Sequence, residues 1–228
     1  MQTSKRLMRR VKTFSDRFPY IGPTAWIASL QYFVVQFLTA RAWTTQFNFF
    51  VNPISDLGNT VCGQYFDRYV CSPLHVLMNL SFLLLGITMM IGSVLIYQEF
   101  KETNYSAVGF GFMALSAFGT MLIGLFPENT ISAIHFAGAL LPFLLGNLGM
   151  IILSQVLELP AWLRNFTLFL GLLGLAALPI LVFHARLDLS IGGIERIVAY
   201  PQTIWLIVFG VYISRDHYMT AKAGQNPN

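Results

Sequence analysis

NPISDLGNT, residues 52–60, is a polar island carrying one acid, Asp56, between two long apolar runs. It sits within residues 41–73, the longest connection in the chain. Long connections are either functional or disordered. This one holds Phe47, Phe49, Phe50, Tyr65, Phe66 and Tyr69 and is not of low complexity. It therefore reads as a folded loop packed on its neighbours.

The apolar runs on either side set the solvent. Of 228 residues, 11% are charged and 55% hydrophobic, against about 25% charged in a soluble domain. Mean hydropathy is +0.62. Runs near 20 residues mean lipid. Six spans are predicted, at about 23–38, 74–97, 105–126, 132–157, 166–183 and 194–214. The expected fold is an all-α polytopic bundle over residues 22–214, with a basic segment at 1–21, the folded loop at 41–73 and a disordered tail at 215–228. Trp26 and Trp43 are expected as interfacial anchors of the first span. Gln31 and Gln36 should face other helices, because an amide facing lipid is unsatisfied.

Lys5, Arg6, Arg9, Arg10, Lys12 and Arg17 crowd the start of the chain. Basic residues beside a first span follow the positive-inside rule, and no nucleic-acid partner is read from them. The basic region is too long for a secretory signal, and no small-residue cleavage site follows. With the N-terminus inside, ten of the fourteen Lys and Arg fall on the cytoplasmic side; Arg41, Arg68, Arg186 and Arg196 fall opposite. Both termini are then cytoplasmic and NPISDLGNT faces outward, in an integral membrane protein of a prokaryotic plasma membrane. Cys62 and Cys71, the only cysteines, both lie in the outward loop. An oxidising exterior predicts a disulfide; free thiols or a metal pair are the alternatives.

The outward span ends collect ionisable groups. The candidate catalytic set is Asp56, His75, Glu128, His135, His184 and Glu195. The candidate binding set is Asn52, Ser55, Asn59, Asn129, Arg186 and Arg196. Ionisable groups at membrane depth default to function. Each also has a structural reading. His75 caps a helix, Asp56 makes an Asx turn, Glu195 and Arg196 form ion pairs, and His135 is a buried histidine bonded to a carboxylate. Histidines with carboxylates suit a divalent metal such as zinc with an open water position, or metal-free acid–base chemistry. No HExxH or CxxC spacing occurs, so the metal signal is weak.

NPISDLGNTVCG, CSPLHVLMNLSF, GLFPENTISAIHFAGALLPFLLGN and GGIERIVAYP, in that order, resemble the bacterial and archaeal membrane family called domain of unknown function 998, over about residues 22–214. More distantly, ISDLG and HFAGA resemble the DRAM and Frag-like six-helix proteins, some of them linked to lipid remodelling or autophagy. The resemblance implies a six-helix membrane protein with the ISDLG loop outside the cytoplasm, and no established activity. Two functions follow. One is a membrane enzyme or lipid-handling protein, of hydrolase or transferase type, with membrane lipids as partners. The other is a non-enzymatic sensor or scaffold whose polar cluster is structural. Transport is disfavoured, since the charged groups stop at the surface and no three-plus-three repeat is visible.

Overall fold

Long apolar runs, with Gly at several of the close helix contacts, give a helical bundle. The computed structural model describes residues 2–100, 103–183 and 190–225. Its helices are α1 (Gln2–Arg17), α2 (Ile21–Ile27), α3 (Gln31–Arg41), α4 (His75–Ile96), α5 (Asn104–Leu125), α6 (Ser132–Leu140), α7 (Asn147–Val156), α8 (Ala161–Phe183) and α9 (Ile191–Gln225). A two-stranded antiparallel hairpin, β1 (Gly63–Tyr65) and β2 (Arg68–Val70), lies in the long loop.

Five helical runs are long and apolar enough to cross a membrane: α4, α5, the stretch Ser132–Val156, α8 and α9. The chain is a multi-pass integral membrane protein. In the third of these runs α6 passes into α7 through a π turn, Leu141–Gly146. Pro142 has no N–H to give the preceding turn, and the backbone widens there; such π segments are frequent at functional sites. The expected first span is built from α2, a 3-10 turn at Ala28–Leu30, and α3.

The chain departs from expectation at its C-terminal end, and the basic segment at the other end takes a defined form. The basic segment is an α-helix, fastened where Ser15 Oγ donates to the Leu95 carbonyl at 3.2 Å. The tail is not disordered after Ser214: α9 continues to Gln225. No Gly or Pro occurs between residues 211 and 223. His217 Nε2 meets Glu99 Oε2 at 2.9 Å, which ties this extension to the end of α4.

Trp26 is not an interfacial anchor. It is fully buried, its indole N–H donates to the Met89 carbonyl at 3.1 Å, and its ring packs on Phe110, Trp205 and Phe209. Gly92 makes the room, since a Cβ there would strike the indole. Trp43 is buried too, its N–H turned to Thr45 Oγ1. The sequence shows a tryptophan near a span end but not which face it is on. Gln31 and Gln36 do face other helices. Gln31 exchanges hydrogen bonds with Ser81 Oγ and the Ser81 carbonyl, and Gln36 Oε1 accepts from the Tyr200 hydroxyl at 2.8 Å.

Candidate functional site

The loop is held first by its own covalent staple. Cys62 and Cys71 form a disulfide across the hairpin, flanking the Gly63–Val70 pair. Closing a loop this short stabilises by on the order of 2–3 kcal/mol. The hairpin turn, with Phe66 at φ 53°, brings Arg68 back over NPISDLGNT. Arg68 Nε and Nη2 donate to the two oxygens of Asp56, both at 2.7 Å. Asp56 is fully buried. This is the fork-on-carboxylate geometry that makes Arg pairs strong. Arg68 Nη2 also lies 3.9 Å from Glu128 Oε1. Burial, and then the adjacent Asp56 carboxylate, push the Glu128 carboxyl up to about 9. At neutral pH Glu128 therefore holds its proton, and the cluster is one ion pair beside a neutral acid.

Side chains from α4, α9 and the segments beside the helices pin the rest of the loop. Ser72 Oγ donates to the Leu57 carbonyl at 2.7 Å, and Asn79 Nδ2 to the Gly58 carbonyl at 2.9 Å. A Cβ at Gly58 would run into that amide. Asn129 accepts from the Thr60 N–H and donates to its hydroxyl. Arg196 Nη1 donates to the carbonyls of Phe49, Asn52 and Gly192 at 2.7–2.8 Å. Its guanidinium lies 5.0 Å from the Phe49 ring centroid. The expected ion pair at Glu195–Arg196 is replaced by these carbonyl contacts; among the described residues Arg196 has no carboxylate within 4 Å.

A second polar group is built differently. The Ile54 N–H donates to Glu195 Oε2. Ser55 Oγ lies 3.2 Å from Glu195 Oε1 and 3.0 Å from His135 Nε2. His135 Nδ1 lies 3.0 Å from the Phe126 carbonyl. A carbonyl can only accept, so Nδ1 carries hydrogen and, in a neutral ring, Nε2 presents its lone pair to Ser55. Three contacts then need three protons: Nδ1 to the carbonyl, Nε2 with Oγ, and Oγ with Oε1. A neutral histidine, a serine and a carboxylate supply only two. The chain closes completely only with one further proton, on His135 or on Glu195. This is a group able to take up or give a proton through Ser55.

The second group also borders open space. A cavity of about 610 Å³ is walled by Ser55, His135 and Glu195 at one end, with Arg68 and Glu128 beside them. Phe136 and Leu140 of α6, Phe143 of the π turn and Leu178, Leu181 and Val182 of α8 form its long sides. Phe136, Leu140 and Val182 are also about half exposed at the bundle surface. The cavity thus lies between α6 and α8 and meets the apolar exterior. Its size falls in the range of small-molecule sites, and its mostly apolar wall with a few converging polar groups is the usual composition of one. A smaller chamber of about 40 Å³ shares Ser55 and Glu195 in its lining and is bordered in part by Tyr32, Thr120, Gln202 and Thr203.

The structure brings together Ser55, Asp56, Glu128, His135 and Glu195. Asn52, Asn129 and Arg196 hold the loop, and Asn59 is buried in it. His75 is not in the cavity wall; its Nδ1 lies 2.9 Å from the Ser72 carbonyl at the start of α4. His184 and Arg186 lie outside the described residues. Among the described residues no three His, Cys, Asp or Glu side chains converge as a metal site. Sequence reasoning left Arg68 out of the site. Its signal was a lone basic residue inside a disulfide-closed hairpin, 12 residues from a buried acid. The aromatic and aliphatic wall from α6 and α8 carried no signal that separates it from lipid-facing residues.

No curated protein and no solved structure matches the chain. A family model described as a protein of unknown function (DUF998) matches residues 26–212. The chain, matched over most of its length, belongs to the DUF998 family.

Proposed function

We propose that this is a six-span membrane protein that binds a membrane lipid from the outer leaflet and carries out hydrolase- or transferase-type chemistry on it. The sixth crossing is α2 to α3: residues 21–41 at helical rise extend about 31 Å, which matches a hydrocarbon core of about 30 Å. The positive charge at the N-terminus favours cytoplasmic termini and an outward loop. The disulfide agrees with an oxidising exterior.

The single observation that carries the chemical reading is the His135–Ser55–Glu195 chain at the polar end of an apolar cavity. Acid–base chemistry needs a group that can accept a proton within hydrogen-bond reach of a reacting atom. His135 Nε2, with Nδ1 held by a carbonyl, is such a group. The test compares the lipid profile of cells making the wild-type chain or His135→Ala at equal expression and thermal stability. A changed profile in the wild type that His135→Ala abolishes is expected. Identical profiles would remove the reading and favour a sensor or scaffold.

A further inference from the structure

We infer that Ser55 is a nucleophile for acyl transfer and that the substrate is a carboxylic-ester lipid, with the acyl chain lying between α6 and α8. The inference rests on the lipid reading above and makes it specific. Ser55 is the only hydroxyl that touches both His135 and an acid among the described residues. It is half-buried and lines the cavity, whereas Asp56 is fully buried beneath Arg68. The serine stands on a 3-10 turn, Ser55–Gly58, fixed on both flanks by Arg196 and Asn79. A nucleophile hydrogen-bonded to a base that is itself oriented by a third group is the general signature of covalent catalysis. Here the third group is the Phe126 carbonyl rather than a carboxylate.

Two chambers have Ser55 in their lining. The larger is apolar along its length and fits an acyl chain entering past Phe136 and Val182. The smaller carries Thr120, Gln202 and Thr203 and has room for about two or three waters.

The step balances without an added oxidant or reductant. Ser55 Oγ forms a bond to the ester carbonyl carbon and its proton passes to His135 Nε2. The bond from that carbon to the alcohol oxygen breaks, and His135 returns the proton to the leaving alkoxide as the alcohol. A water then attacks the acyl-serine, giving one proton to His135. The carbon–Oγ bond breaks, the free acid leaves, and the proton returns to Ser55. Ester and water become acid and alcohol.

The test uses the purified full chain in lipid nanodiscs with two probes. One is a fluorophosphonate, which adds to an activated serine with loss of fluoride. The other is a phospholipid with a photoreactive acyl chain, mapped by mass spectrometry. The expected result is one adduct on Ser55, formed at least about 100-fold more slowly in His135→Ala, or in His135→Gln if the alanine variant does not fold. Photolipid crosslinks on α6 and α8 persist in both proteins. No Ser55 adduct in wild-type protein that still crosslinks lipid there would overturn the nucleophile and leave the lipid reading standing. Neither adduct nor cavity crosslinks would overturn both.

Discussion

Two acidic groups lie side by side at one end of the bundle, and they have opposite characters. Asp56 with Arg68 is closed: the ion pair is bidentate and its acid is fully buried, while Arg68 and the neighbouring Glu128 reach the cavity wall. Ser55 with His135 and Glu195 is open: all three line the cavity and are joined by single hydrogen bonds. The two share one short segment, since Ser55 and Asp56 are adjacent in NPISDLGNT. The Asp56–Arg68 pair positions the turn, and the preceding residue, Ser55, carries the contacts to His135 and Glu195. Two adjacent polar residues are therefore set apart by their partners, an arginine for Asp56 and a histidine for Ser55.

Breaking the closed group should cost most. Arg68→Ala leaves the Asp56 carboxylate buried without its partner. The expected loss is about 3 kcal/mol, the lower end for removing one member of a buried pair because Arg68 keeps an edge in the cavity. Thermal unfolding of the purified protein measures it. A loss below about 0.5 kcal/mol would mean that Arg68 does not hold the loop.

Glu128 sharpens the comparison through pH. Its folded value, raised to about 9, lies above its unfolded value near 4.5. Between these the folded chain binds more protons than the unfolded one, so this group's contribution to stability falls as pH rises through that window. Glu128→Gln removes the titration. The variant should show a flatter dependence of Tm on pH between 6 and 9 than the wild type, and parallel curves would contradict the assignment. His75 should matter least. Its ring contacts one carbonyl at the start of α4, and His75→Ala should cost less than about 1 kcal/mol in the same unfolding measurement.

Much of the architecture was legible because membrane solvent imposes long apolar runs, and those runs are local in sequence. The disulfide was legible from two cysteines placed in one loop. The burial of Trp26 was not, because it depends on Gly92, Phe110 and Trp205 from three other helices. Of the candidate residues, Ser55, Asp56, Glu128, His135 and Glu195 come together, and their partition was not legible. His135 and Ser55 are 80 positions apart, and nothing local tells that Ser55 meets the histidine while Asp56 beside it meets an arginine. The extension of α9 past Ser214 was hidden by its polar composition, which reads as tail until His217 is seen against Glu99.

The most direct measurement is release of fatty acid from an ester lipid in vesicles carrying the purified chain, with wild type and His135→Ala compared at equal folded amounts. The account predicts turnover by the wild type and a loss of about 100-fold or more in the variant. Equal release from both, or none from the wild type, would contradict it.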